Sequence, residues 1–146
     1  MAGRSRRTDN LTPEQRRYTM WRVKGENTGP EVRVGALVRS LGRRPRLHER
    51  SLPGSPDFVF PRRRKVIFVH GCFWHGHSCK SGDKRPKANR AYWDAKLARN
   101  RRRDRGVRAR LTRDGWSVAV VWECQLRRPE RLRARLARFL EADARE

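Results

Sequence analysis

The sequence is poor in acidic residues and in long apolar segments. Asp and Glu number 15 against 38 Lys and Arg, which gives a formal net charge of +23 over 146 residues. This imbalance disfavours an acidic or neutral metabolic enzyme and favours nucleic acid as partner, because cations that neutralise a row of phosphates release counterions. No apolar run approaches the ~20 residues that span a bilayer, and the basic N-terminus lacks the apolar segment of a secretory signal. We therefore expect a cytoplasmic protein without a membrane partner.

Cysteine is also scarce. Three Cys leave one unpaired in any disulfide scheme, so metal ligation is the better expectation for a cytosolic chain. Five Trp and five Phe exclude a disordered basic tail. At this length we expect a flexible basic arm over 1–11 and a single domain over 12–146.

Hydrophobic periodicity predicts a mixed α/β domain. Helix signals begin at Thr12, Thr28, Ala91 and Pro129, and Gly42 and Gly115 end the second and third helices. Strands are predicted over 46–48, 57–60, 65–70 and 116–122, with the first three in one sheet. Residues 71–90 are predicted to form an irregular loop that needs a stabilising cross-link of its own.

That loop holds a cluster of metal-type ligands. Cys72, His75, His77 and Cys79 lie within eight residues, and Cys124 follows the last strand. Sulfur and imidazole ligands suit tetrahedral zinc, and a closed site of three Cys and one His would be structural. The spacing leaves His75 and His77 as alternatives for the fourth position.

One carboxylate lies where it could bind a cation, and a second lies on an apolar helix face, where an unpaired charge is energetically costly. Asp57 heads a strand that can pair with the strand ending at His70, and a carboxylate there suits a hard cation such as Mg²⁺ that contacts phosphate. Asp104 lies on the apolar stripe of the helix over 91–113, together with Asn100. A carboxylate on such a stripe needs a positive partner, either a catalytic histidine or the arginine of a structural ion pair.

Aromatic residues accompany the ligand loop. Phe73 and Trp74 lie between the ligands, and Trp93 opens the helix that follows. Beside a basic surface such residues can wedge between bases, and the alternative is a small core around the zinc. Trp116 and Trp122, on a strand, are predicted to be core residues.

Together these segments resemble one known family. The residues are 28–31, 52–58, 66–75, 86–87, 92–93, 100, 103–104, 115–116 and 121–124, in unbroken order, and they resemble the very-short-patch DNA mismatch repair endonucleases. The resemblance implies the fold of type II restriction endonucleases. It also implies an enzyme that nicks one strand beside the thymine of a T·G mismatch left by deamination of 5-methylcytosine.

The same resemblance implies roles for individual residues. The carboxylate of Asp57 and the main-chain carbonyl of Val69 would hold one or two Mg²⁺ ions, although better-known family members carry Thr at position 69. His75 resembles the general base. The accessory active-site residues would be His70, Asp104 and Glu31.

Two further sets follow from the resemblance. It assigns structural Zn²⁺ to Cys72, His77, Cys79 and Cys124. The residues that would insert into DNA are Phe73, Trp74, Trp93 and Met20.

The resemblance also implies a biological setting. The protein would act as a monomer at the bacterial nucleoid, with mismatch-repair proteins as further partners.

A second hypothesis is a zinc-stabilised basic module that binds nucleic acid without catalysis. It explains the charge and the Cys/His cluster but not the acids placed where phosphate would lie.

Overall fold

The structure, a computed structural model, describes residues 29–83 and 87–142. The expected arm over 1–11, the helix expected from Thr12 and the residue Met20 lie outside these ranges. No helix in the described ranges is both long enough and apolar enough to cross a membrane.

The other three predicted helices are present with closely matching bounds. Helix α1 covers Gly29–Ser40, α3 covers Arg90–Arg113 and α4 covers Pro129–Glu141. Gly42 follows α1 with φ of 80°, a conformation that favours glycine, and so ends that helix. In the part of the expected irregular loop that the structure describes, a short helix, α2, covers Lys80–Asp83.

In the described residues, four strands form one mixed sheet. They are β1 (Arg46–Leu47), β2 (Phe58–Phe60), β3 (Lys65–His70) and β4 (Ser117–Trp122), arranged in the order β1-β2-β3-β4. The β1/β2 and β2/β3 pairs are antiparallel, whereas β3 and β4 are parallel and are joined through α3. The predicted mixed α/β fold is therefore confirmed.

Helices cover both faces of this sheet. All six residues of β3 are buried, as expected of a central strand with side chains packed on both faces. One face packs against α1 and α4 through Val34, Val38, Phe58, Ile67, Val121, Leu132, Leu136 and Leu140. The other packs against α3 through Val59, Val66, Phe68 and Leu111.

Strand alternation decides which side chains reach the α3 face. Successive strand residues point to opposite faces, so the residues that share parity with Val66 and Phe68 lie on their side. In β3 that residue is His70, and its partner in the parallel register is Trp122. The last residues of β3 and β4 therefore meet beneath α3.

Candidate active site and metal centres

The Cys/His cluster is assembled by the parallel pair of strands. Because His70 pairs with Trp122, Cys72 and Cys124 each follow a paired position by two residues at the same edge of the sheet. His77 and Cys79 complete the set from the loop after β3. One potential ligand atom from each of these four residues lies within 4.8 Å of all the others.

This cluster fits a structural zinc ion. His77 Nδ1 lies 3.6 Å from Cys124 Sγ. A tetrahedral zinc with sulfur at ~2.3 Å and nitrogen at ~2.1 Å separates two such ligands by ~3.6 Å. Backbone N–H groups of Cys124 and Gly82 donate to the sulfurs of Cys72 and Cys79, as commonly seen around metal thiolates. The structure brings the predicted set of three Cys and one His together, and this cluster is consistent with a zinc site.

The thiols of this cluster have divergent acidities. Burial raises the pKa of the Cys72 thiol to about 12, despite the hydrogen bond from Cys124 N–H. Burial alone would raise the pKa of Cys79 as well, but the hydrogen bonds from Gly82 N–H and His77 lower that pKa to about 7. Since zinc binds thiolate, loading the site must release protons.

A tight turn at Gly76 directs His75 and His77 to different sites. His77 N–H donates to Cys72 O at 2.9 Å, and Gly76 between them has φ of 63°. A Cβ at Gly76 would lie 2.2 Å from Nη1 of the flexible Arg101 side chain, which would have to move, and the positive φ itself favours glycine at this turn. His77 thereby faces the cysteines, while His75 faces α3.

His75 and Asp104 form a close pair. His75 Nδ1 lies 2.6 Å from Asp104 Oδ2, with side chains 16% and 24% exposed. An ionised carboxylate only accepts hydrogen bonds, so we assign the proton to Nδ1, which presents Nε2 as the basic nitrogen. Burial would raise the pKa of Asp104, but the hydrogen bond and charge of His75, with the charges of His70 and Arg103, outweigh it and lower that pKa.

The imidazole of His70 lies flat against that of His75. Their ring centroids are 3.8 Å apart with an interplanar angle of 2°. Trp122 approaches His70 edge-on at 5.2 Å and stacks on His77 at 4.1 Å. Trp122 therefore packs between the candidate zinc cluster and the imidazole pair, and it is only half-buried rather than a core residue as predicted.

Asp57 is fixed at the end of the antiparallel strand pair. Val69 N–H donates to Asp57 Oδ2 at 2.7 Å, which realises the predicted meeting of Asp57 with the end of β3. Asp57, His75 and Asp104 line one cleft of about 530 Å³. The same cleft is lined by Arg101, Arg103, Arg105 and Arg108, which suit a polyanion.

Glu31 and His48 lie next to Asp57. Glu31 Oε2 is 3.6 Å from His48 Nε2, and the three side chains offer ligand atoms within 4.8 Å of one another. Sequence reasoning missed His48, because a strand of two residues is too short for its alternation to predict where the next side chain points.

The three aromatic residues expected to act together form one cluster. Phe73, Trp74 and Trp93 have ring centroids 5.1 to 5.6 Å apart. Trp93 is 3% exposed, so it is buried in the protein without DNA, whereas Phe73 and Trp74 are half-buried. Asn100 Nδ2 donates to Trp74 O at 2.8 Å and ties this cluster to α3.

A carboxylate and a carboxylate-bound imidazole in an arginine-lined cleft are the groups expected of an enzyme that cleaves nucleic acid. A family model described as DNA mismatch endonuclease Vsr matches residues 8–81. The chain belongs to this family, and it is a DNA nicking endonuclease.

Curated relatives agree with this assignment. The type II nicking enzyme V.XorIIP of Xanthomonas oryzae is 52% identical over 134 residues, which cover 92% of this chain and 98% of that protein. V.NmeAIP of Neisseria meningitidis is 38% identical over 91% of this chain and 94% of its own. DNA mismatch endonuclease Vsr of Escherichia coli is 42% identical over 80% of this chain and 74% of its own. These relatives favour an enzyme over the alternative of a non-catalytic binding module.

Proposed function

We propose that this endonuclease nicks one strand of duplex DNA beside the thymine of a T·G mismatch left by deamination of 5-methylcytosine. The reaction would be Mg²⁺-dependent phosphodiester hydrolysis by a monomer. The observation that carries the proposal is the 2.6 Å pair of His75 and Asp104, which lines the same cleft as Asp57 and stands apart from the cysteine cluster.

His75 would act as the general base. Its Nε2 takes a proton from the attacking water, and Asp104 holds the ring and stabilises the positive charge that the ring acquires. The stacked ring of His70 restricts tilting of His75, so the basic nitrogen keeps its direction during the reaction.

Asp57 and the main-chain carbonyl of Val69 would hold Mg²⁺, with Glu31 as a supporting acid. The fit is supported by the donor chemistry, since the carboxylates of Glu31 and Asp57 converge within 4.8 Å and oxygen is the donor that Mg²⁺ prefers. When bound, the ion supplies positive charge that offsets the charge of the scissile phosphate. A carbonyl ligand is compatible with Val at position 69, because the side chain takes no part in such a contact.

The aromatic cluster would open the duplex at the mismatch. Phe73 and Trp74 offer partly exposed rings for insertion between bases, and Trp93 supports them from the interior. Insertion costs a few kcal/mol of unstacking, which is smallest at an already weakened base pair. This cost difference favours T·G over a matched pair. Met20, also expected to insert, lies outside the described residues.

Nicking assays on matched duplexes test the proposal. Zinc-loaded protein with Mg²⁺ is incubated with duplexes that differ only in a central T·G, T·A or C·G pair, each strand carrying a different label. We expect one nick, beside the T of the T·G duplex. Equal nicking of T·A and T·G duplexes, or cutting of both strands, would contradict the proposed specificity.

A further inference from the structure

The group formed by Glu31, His48 and Asp57 contains a nitrogen donor that the proposed reaction does not use. Its members come from α1, from the residue that follows β1 and from the residue that precedes β2. His48 N–H donates to Asp57 O at 3.1 Å, so the backbone holds the two residues side by side. The imidazole then faces the carboxylate of Glu31.

This group combines two carboxylates with one imidazole. The side chain of Glu31 is only 8% exposed, and it lies beside a second carboxylate. A divalent cation bound between two carboxylates offsets the repulsion between them. His48 Nε2 stands 3.6 Å from Glu31 Oε2, so the imidazole lies at the same place as the oxygen donors.

These separations suit ligands of one ion. Donors held at ~2.1 Å around an octahedral cation lie ~3 Å apart when adjacent and ~4 Å apart when opposite. The separation of 3.6 Å between His48 Nε2 and Glu31 Oε2 falls between those values. The whole set spans at most 4.8 Å, so a small inward movement of Asp57 or His48 brings all three donors onto one ion.

We propose that His48 Nε2 is a protein ligand, together with Glu31 and Asp57, of the divalent cation in the active site. We propose further that this nitrogen makes the site of this chain prefer Mn²⁺ to Mg²⁺. Mg²⁺ selects oxygen donors in strict octahedral geometry, whereas transition metals accept imidazole nitrogen beside carboxylates. The inference depends on the proposed function only in assuming that the bound ion takes part in nicking.

The test measures metal binding directly. Zinc-loaded full-length protein is titrated with Mn²⁺, free Mn²⁺ is followed by EPR, and pulsed EPR detects any nitrogen nucleus coupled to the bound ion. We expect nitrogen coupling in the wild type and its loss in His48→Gln. Loss of even an outer partner of a ligand costs 10- to 100-fold in affinity, so we expect Mn²⁺ to bind at least about tenfold more weakly to the variant. The affinity for Mg²⁺, measured by competition, should change less than about threefold.

Two further variants separate this site from its neighbours. His48→Ala removes the side-chain donor without offering an amide oxygen and should lose the coupling in the same way. His75→Gln removes a competing nitrogen that lines the same cleft as Asp57, and we expect it to keep the coupling and the Mn²⁺ affinity of the wild type. Should His48→Gln fail to fold, the wild-type coupling and the preference for Mn²⁺ remain as readouts.

Each outcome bears on one claim. Absence of nitrogen coupling in the wild type, its survival in His48→Gln or its loss in His75→Gln would overturn the role of His48. If the wild type nicks the T·G duplex without such coupling, only this inference fails. If the coupling depends on His48 but no duplex is nicked with either ion, the proposed function fails and the metal site stands.

Discussion

Replacing Asp104 by Asn tests whether His75 works as a carboxylate-supported base. The two side chains have nearly the same shape, so Asp104→Asn keeps the packing of α3 and removes a negative charge 2.6 Å from His75 Nδ1. The amide can still accept a hydrogen bond from Nδ1. It cannot balance the positive charge that the imidazole gains when it takes a proton.

The size of this effect follows from the geometry. With charge centres ~4 Å apart and an effective dielectric constant of ~20, the lost attraction is about 4 kcal/mol. The side chains are 16% and 24% exposed, so solvent screening reduces this value, and we expect about 2 to 4 kcal/mol. That corresponds to a fall in single-turnover nicking rate of about 30- to 900-fold.

The assay pairs that rate with binding of the same T·G duplex, followed by fluorescence anisotropy. We expect binding to change less than about twofold, because the role proposed for Asp104 is in the chemical step. Asp94→Asn is the matched control, since Asp94 lies on the same helix, is 52% exposed and forms an i,i+4 ion pair with Arg90 at 3.6 Å. It should nick at close to the wild-type rate.

A double-mutant cycle identifies the partner. If Asp104 acts through His75, adding Asp104→Asn to His75→Ala should cost little more than His75→Ala alone. A nicking rate for Asp104→Asn within about threefold of the wild type, or an equal loss in Asp94→Asn, would refute the assigned roles.

Three further substitutions probe the surroundings of the cleft. Gly76→Ala places a side chain at φ of 63°, so we expect the free energy of unfolding to fall by about 1 to 3 kcal/mol in denaturant titrations. Gly106→Ala, at an open helical position, should not destabilise the protein, and equal stability of the two variants would contradict the turn argument. Cys124→Ala removes a candidate zinc ligand, and we expect less than one zinc per chain by atomic absorption. We also expect a melting temperature lower by about 10 °C, which corresponds to a loss of about 3 kcal/mol in the free energy of unfolding; full zinc content would exclude the site. Asn100→Leu deletes the bond to Trp74 O, and we expect a smaller ratio of T·G to T·A binding affinity; an unchanged ratio would separate Asn100 from mismatch opening.

Local patterns in the sequence were sufficient to predict most of the secondary structure. The apolar spacing of both helices, the Gly after α1 and the Pro at the start of α4 predict α1 and α4, and the β-branched run of β3 predicts the central strand. The stripe on α3 likewise predicts that Asp104 needs a positive partner, and the structure supplies His75.

Other features depend on contacts between distant segments. The choice between His75 and His77 depends on the left-handed turn at Gly76, which residue spacing does not reveal. Trp122 was predicted to be core because its strand alternates, but only the parallel register with His70 shows that its face is the one beside the cleft. His48 was missed because its partners lie on two other elements.

The most direct measurement is single-turnover nicking of a T·G duplex by zinc-loaded Asp57→Ala protein, with duplex binding measured on the same sample. If Asp57 holds the cation that offsets the phosphate charge, Mg²⁺-dependent nicking is abolished while the protein still binds the mismatch. Nicking by Asp57→Ala at the wild-type rate would show that the cleft holding His75 and Asp104 does not carry out the reaction in the way proposed.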